Sequence, residues 1–125
     1  RHESKLRSMR NEFESLVTKA IPAALVIGKD VSRLPNTSCI AFPGVDRQEM
    51  VLAADMAGVA CSTGSACASG SSDPSPVLQN MGLSPAVIDS ALRFSFGLFN
   101  SLDDATESAR RISLAHSKLQ SRSHD

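Results

Sequence analysis

Residues 91–96 constrain the fold most, because their side chains alternate strictly in character. The two sets are Leu92, Phe94 and Phe96 on one side and Ala91, Arg93 and Ser95 on the other. Since successive side chains of a β-strand point to opposite faces, the pattern predicts a strand that buries an aromatic face and presents a cation on the other. Such a sheet needs a covering layer on its apolar face.

Three amphipathic helices are predicted to supply that layer. From Glu3 to Ala20 apolar residues recur at steps of three and four, and Pro22 ends the helix. Asp46 is a good N-cap for a second helix, which Gly58 is placed to end. Ser101 with Asp104 three residues later predicts a capped final helix, whose tail after Gln120 is polar and expected to fray. Its apolar stripe is Ala105, Ala109, Ile112, Ala115 and Leu119.

The other strands are predicted to be short. Residues 25–27, 37–42 and 59–61 are apolar or β-branched and are bounded by turn residues. Ser75 before Pro76 and Ser84 before Pro85 are start signals for two short helices. Because strands and helices do not alternate regularly, we expect an α+β fold, with a small, mostly antiparallel sheet and helices packed on one face. Residues 1–125 are expected to form one domain.

The segment 62–75 is predicted to be a mobile loop, because its residues are small and polar and follow no period. It carries Cys67 between Ala66 and Ala68, so the sulfur is unobstructed on a flexible backbone. A nucleophilic thiolate must reach its substrate, and this composition permits such movement. The alternative is that Cys67 is a small surface residue of a serine-rich linker.

The other cysteines and the histidines offer weaker candidates. A Cys61–Cys67 pair, as a disulfide or as metal ligands, is disfavoured because no second pair or histidine completes a zinc set. Cys39 lies inside a predicted strand, where a thiol usually packs in the core. His2, His116 and His124 are scattered, so a Cys–His catalytic pair lacks its base.

Arg93 is the second candidate site residue. Its guanidinium has a fork of donors that matches the two oxygens of a carboxylate. An ion pair with a neighbouring helix is the alternative. A phosphate-binding loop at residues 62–72 is set aside, because no lysine follows Gly64 or Gly70 and no helix start follows in the required register.

Charge and composition exclude several partners. The chain has 13 basic and 13 acidic side chains, so no net field attracts nucleic acid or an anionic membrane. No apolar run approaches the roughly 20 residues that cross a bilayer, and three cysteines are too few for a disulfide framework. We expect a soluble, cytoplasmic protein. Its start at Arg1 suggests a fragment whose leader or partner domain is missing.

Four motifs together resemble one family. They are Arg33-Leu34-Pro35-Asn36-Thr37, Ser62-Thr63-Gly64-Ser65-Ala66-Cys67, Asp73-Pro74-Ser75 with Val77-Leu78, and Leu92-Arg93-Phe94-Ser95-Phe96-Gly97. In order and spacing they resemble the C-terminal small domain of cysteine desulfurases of the nitrogen-fixation and iron-sulfur-assembly type. Those enzymes belong to the class V aminotransferases. They are fold type I enzymes, which use pyridoxal 5'-phosphate (PLP).

The resemblance implies roles for two residues. Cys67 matches the nucleophile that takes sulfur from L-cysteine and becomes a persulfide, releasing L-alanine, and it could also serve as a transient iron-sulfur ligand. Arg93 matches the arginine that holds the substrate carboxylate. The implied partners are L-cysteine, an iron-sulfur scaffold or other sulfur acceptor, and a second copy in a full-length homodimer. A donor that visits both a buried cofactor and an acceptor needs a movable loop.

The chain departs from the family at Cys61, Asp73, Leu98 and Asn100, which bears on the choice of partner. None of Lys5, Lys19, Lys29 or Lys118 stands in the motif of the lysine that binds PLP, so the cofactor is expected to be held by a missing large domain and the fragment alone to be inactive. Two alternatives stay open: a free-standing sulfur carrier or interaction module without PLP chemistry, and a selenocysteine lyase-like enzyme.

Overall fold

A computed structural model describes residues 2–27, 36–63, 84–85, 87, 90–96 and 100–123. It contains three long helices and a four-stranded sheet within those ranges. The elements in chain order are α1 (His2–Ala20), β1 (Leu25–Ile27), β2 (Thr37–Ala41), α2 (Arg47–Met56), β3 (Cys61–Thr63), β4 (Ala91–Ser95) and α3 (Leu102–Ser123).

The four strands form one sheet in the order β1-β2-β4-β3, and every neighbouring pair is antiparallel. Strand β4 lies between β2 and β3, with Ile40 opposite Leu92 on one side and Thr63 opposite Leu92 on the other. The predicted α+β class with a small antiparallel sheet is confirmed. Strand β4 is therefore held by ladders on both of its edges.

The helices cover one face of this sheet, and the core lies between the two layers. The ring of Phe13 from α1 packs 5.0 Å from that of Phe94 and 5.3 Å from that of Phe96, measured between centroids. Tilted and edge-on rings at this spacing are favourable pairs. The predicted apolar stripe of α3 is buried along its whole length. The helical layer therefore lies on the Leu92–Phe94 side, as expected from the alternation in residues 91–96.

The predicted helix starts at Asp46 and Ser101 are confirmed by their hydrogen bonds, whereas the start predicted at Ser75 lies outside the described residues. The Asp46 carboxylate accepts from the backbone N–H of Glu49 at 3.0 Å. At α3 the Asp104 carboxylate accepts from the Ser101 N–H at 2.8 Å, and the Ser101 hydroxyl accepts from the Asp104 N–H at 3.2 Å. Each pair satisfies N–H groups that a helix start leaves without an internal acceptor. Ser84 likewise accepts from the Val87 N–H at 3.3 Å.

Three predicted boundaries were wrong. Strand β2 ends at Ala41 rather than at Phe42. Strand β3 spans Cys61–Thr63 rather than 59–61, because the Val59 N–H still bonds to the Ala54 carbonyl at 2.8 Å and completes the end of α2. Gly58, with φ of +86°, makes that turn. Helix α3 runs to Ser123, past the expected end, since no Gly or Pro interrupts it.

None of the helices within the described ranges is both long enough and apolar enough to span a bilayer.

Candidate active site

Arg93 lies at the middle of β4, the strand with neighbours on both sides. Its partner in β2 is Cys39 and its partner in β3 is Ser62. Directly opposite residues on adjacent strands point to the same face of a sheet. Cys39, Arg93 and Ser62 therefore form a row of three polar side chains across three strands, which we call the Arg93 row.

The Arg93 row lies on the face that the long helices leave uncovered. Leu92 and Phe94, the neighbours of Arg93 along the strand, both belong to the core beneath the helices, so Arg93 points the other way. On its own face a separate small apolar cluster contains Ile27, Ala41, Val87 and Ala91, with Cys39 packed against it. The arginine thus stands beside an apolar patch, on the side of the sheet opposite α1 and α3.

The Nε–H of Arg93 is buried, yet among the residues that the structure describes it has no hydrogen-bond acceptor. The side chain as a whole is half-buried. Buried donors are nearly always paired, so an orphaned guanidinium N–H needs an explanation. A carboxylate supplies two acceptor oxygens to an arginine fork and is its strongest neutralising partner. The alternative of an ion pair with a neighbouring helix has no partner in the described part of the chain.

Cys67, the predicted nucleophile, lies outside the described residues, as do residues 64–75 of the predicted loop. The chain leading toward it is described up to Thr63. Ser62 and Thr63, which the sequence analysis assigned to the loop, instead belong to β3 and pair with Arg93 and Leu92. On the side of Cys67 the described chain therefore ends at Thr63, next to Ser62 of the Arg93 row.

Cys61 is a poor candidate for nucleophilic chemistry. Cys61 packs against the core beneath the helices, and burial, reinforced by the negative charge of Asp55, raises its pKa to about 11. A thiol with that pKa is almost wholly protonated at neutral pH and reacts slowly. Cys39 and Cys61 are both reduced, and the described residues contain no cluster of three or more potential metal ligands.

His116 belongs to the helical layer and not to the Arg93 row. It is buried on α3, with its ring 5.8 Å from that of Phe42 between centroids. Burial lowers its pKa, and its Nε2 has no hydrogen-bond partner among the described residues. Because α3 covers the other face of the sheet, His116 is not placed to act as a base beside Arg93.

The described lysines do not fit a cofactor used together with Arg93. Lys5 and Lys19 are exposed on α1, and Lys118 is exposed on α3. Both helices pack on the face of the sheet opposite the Arg93 row, so none of these amines lies beside the arginine. An amine that binds PLP near Arg93 would have to come from outside the described residues.

Sequence reasoning missed the two neighbours of Arg93. It placed Ser62 in a loop and treated Cys39 as a core residue without relation to the arginine. The alternation within each short strand shows which residues share a face. It does not give the register between strands, and Cys39 and Ser62 precede Arg93 by 54 and 31 residues. That register is the property that assembles the row.

Comparison with known proteins gives the family. The model of the family described as "Aminotransferase class-V" matches residues 2–107. The chain belongs to the aminotransferase class-V family. Its relatives include a cysteine desulfurase of Sinorhizobium fredii, 38% identical over 92% of this chain and 30% of that protein. The cysteine desulfurase NifS of Azotobacter vinelandii is 31% identical over 89% of this chain and 28% of that protein.

Solved structures agree with the class-V fold. A NifS-like protein from Rickettsia africae superposes with a TM-score of 0.77 at 24% identity, over 93% of this chain and 29% of that one. The resemblance read from the four sequence motifs is thus confirmed at the level of the family. The chain spans less than a third of the length of these class-V relatives, so the activity of a whole enzyme is a matter for proposal.

Proposed function

We propose that this class-V chain is part of a cysteine desulfurase that removes sulfur from L-cysteine and carries it as a persulfide on Cys67. The observation that carries the proposal is the buried Nε–H of Arg93, which has no acceptor among the residues that the structure describes and lies on the face of the sheet opposite the long helices. The relatives that share most of this chain are themselves named cysteine desulfurases.

In this proposal Arg93 binds the substrate. Strand β4 is paired along both edges, so the arginine backbone is fixed. A substrate carboxylate would accept hydrogen bonds from the guanidinium and satisfy its buried Nε–H. A carboxylate held in this way orients the rest of the amino acid, including its sulfur, relative to the sheet.

Cys67 would then accept the sulfur. Its thiolate attacks the sulfur atom of the bound cysteine, a sulfur–sulfur bond forms, and the carbon–sulfur bond of the substrate breaks. PLP, held by the remainder of a longer protein, would supply the electron sink that takes up the pair from that bond. After protonation the products are L-alanine and a persulfide on Cys67. A reducing compartment such as the cytoplasm would preserve the thiol, and an iron-sulfur scaffold or another acceptor protein would take the sulfur.

The test uses the full-length protein that contains this chain. After incubation with L-cysteine, mass spectrometry should find one added sulfur atom on the peptide that contains Cys67, together with free alanine. Cys67→Ser should abolish both products, and Cys39→Ser and Cys61→Ser should leave the added sulfur in place. Sulfur found on another peptide, or turnover by the Cys67 variant, would refute the assignment.

Arg93 is tested separately through substrate binding. Arg93→Ala should weaken binding of L-cysteine by about 2 to 5 kcal/mol, the usual loss for a desolvated charge pair, and Arg93→Lys should restore part of it. Arg110→Ala removes an exposed arginine of the helical layer and is the control. An unchanged KM in Arg93→Ala would contradict the role. No alanine from L-cysteine, together with a Cys67 persulfide formed only when a low-molecular-weight persulfide is added as donor, would point instead to a free-standing sulfur carrier.

A further inference from the structure

A groove runs between α2 and α3 on the helical layer. It has a volume of about 500 Å³ and is lined by Met56 on one wall and by Leu114 on the other, with Ala53 at its base. The side chain of Met56 is 81% exposed and that of Leu114 is 50% exposed. Large apolar side chains on both walls of one groove are the usual mark of a surface that binds a partner.

The polar residues that line this α2–α3 groove are cationic. Arg110, Arg111 and Lys118 all lie along it. Glu107 is the nearby acid, and its carboxylate already accepts from Arg111 at 2.9 Å and from Arg110. The described residues that line the groove include three cations and no acid, and the Glu107 carboxylate offsets part of their charge, so this lining is positively charged. Asp55 is not among the described residues that line the groove.

The α2–α3 groove lies on the outer side of the domain. Helices α2 and α3 belong to the layer opposite the Arg93 row. This step rests on the proposed function: if the remainder of the enzyme completes the site around Arg93, it covers the other face of the sheet. The groove would then stay open to solvent in the full-length protein.

We propose that the α2–α3 groove binds an acidic amphipathic helix of a partner protein. An apolar stripe at helical spacing would cover Met56 and Leu114, and carboxylates beside that stripe would face Arg110 and Lys118. The span from Arg110 to Lys118 is about 12 Å of helix, which suits a short helix lying alongside. A small ligand is a poorer fit, because small molecules bind where most of their surface is enclosed, and Met56 stands largely in solvent.

The experiment measures binding of a designed probe to the full-length protein. The probe is a fluorescent synthetic helix of about four turns with leucines on one face and glutamates beside them. A second peptide keeps the leucines and replaces each glutamate with lysine. The acidic peptide should bind, the basic one should not, and added salt should weaken the binding because the rim charges are exposed. Equal binding of both peptides would overturn the proposal.

Two substitutions locate the binding surface. Met56→Ser and Lys118→Glu should each weaken the affinity of the protein for the acidic peptide by about tenfold. These two residues are chosen because they do not line the neighbouring groove between α1 and α3, which shares Arg110 and Leu114. Leu102→Ser and Lys19→Glu are matched controls at exposed positions that line neither groove, and both variants should bind the acidic peptide normally. An equal loss of affinity in the two control variants would refute the α2–α3 groove as the binding surface.

Two further outcomes would also count against the proposal. If peroxide oxidises Met56 in the full-length protein no faster than a buried methionine such as Met50, another part of the protein already covers the groove. If a medium-chain fatty acid displaces the peptide and binds at least as tightly, the groove is a lipid site. Alanine release is measured in parallel, so a failure of the peptide to bind is distinguished from a failure of the proposed desulfurase activity.

Discussion

Nη1 of Arg111 lies 2.7 Å from the position that a Cβ on Gly58 would occupy. The same nitrogen donates to the Ala57 carbonyl at 3.0 Å, so the guanidinium sits over the turn that ends α2. Gly58 has φ of +86°, a conformation that favours glycine. Two properties of one residue, its backbone angle and its missing side chain, therefore hold the turn between α2 and β3.

Gly58→Ala should destabilise the domain by two separate effects. The left-handed backbone costs about 1 to 2 kcal/mol for alanine, and the new methyl group displaces Arg111 from Ala57, costing about 1 kcal/mol more for the lost hydrogen bond. Gly44→Ala is the matched control, because Gly44 has φ of +93° and open space around it. Urea unfolding of both variants should show the larger loss at Gly58. Equal losses of unfolding free energy in the two variants would mean that Arg111 moves away from Ala57 without destabilising the fold.

A buried hydrogen bond between α1 and β2 gives a second prediction. The Ser38 hydroxyl donates to the Glu14 carboxylate at 2.7 Å, and both residues are buried. Ser38→Ala removes a charge-assisted bond and should cost about 1.5 to 3 kcal/mol in the free energy of unfolding. Ser90→Ala is the control, since its buried hydroxyl donates to the Val87 carbonyl, a neutral acceptor, and should cost about 1 kcal/mol. A smaller loss at Ser38 than at Ser90 would contradict the charge-assisted character.

These features differ in how far the sequence predicts them. The caps at Asp46 and at Ser101 with Asp104 were predictable, because each bond joins residues three apart. The buried side of β4 was predictable from its alternation alone. The Ser38–Glu14 bond was not predicted, because its partners are 24 residues apart on different elements. The start of β3 was missed because Val59 resembles a strand residue but is used by the turn after α2. The roles of Arg93 and Cys67 stay predictions; the alternation of β4 predicted the face on which Arg93 lies, but its row with Cys39 and Ser62 depends on strand register and was not predicted.

Cys61 should be unreactive at neutral pH. Burial and then Asp55 raise its pKa to about 11, so its thiolate fraction near pH 8 is about a hundredfold below that of an ordinary thiol. Labelling with iodoacetamide followed by peptide mass spectrometry should show Cys61 reacting only as the pH approaches 11. Asp55→Asn should increase the rate, and Glu49→Gln, on the same helix, should not. Rapid labelling at pH 8 would contradict the burial.

The same shift has a consequence for stability at high pH. The folded protein holds the Cys61 proton more tightly than the unfolded chain does. The resulting stabilisation of the fold is complete when the pH is below 9.0, the ordinary pKa of a cysteine thiol, and it is lost as the pH rises toward 11. A Cys61→Ala variant should lose less of its unfolding free energy across that interval than the wild-type protein.

His116 should make the domain sensitive to mild acid. Burial lowers its pKa below the ordinary value of 6.5, so the unfolded chain takes up a proton first as the pH falls. The contribution of the neutral histidine to the stability of the fold is therefore complete above pH 6.5. It is lost as the pH falls through the lowered pKa of His116 in the folded state. His116→Phe keeps a ring against Phe42 and should flatten the dependence of Tm on pH in this range. An unchanged slope would show that another group is responsible.

In the proposed desulfurase, strand β3 also limits the positions that Cys67 can reach. Cys67 follows Thr63 by four residues, and an extended chain advances at most about 3.5 Å per residue. While Thr63 stays paired with Leu92, the Cα of Cys67 is confined to a sphere of about 14 Å around the edge of the sheet. In the proposed transfer an acceptor protein must bring its receiving atom to within a side-chain length of that sphere, unless the three paired residues of β3 detach. Lengthening the segment between Thr63 and Cys67 would enlarge the sphere without altering Arg93, which lies close to its centre on the strand paired with β3.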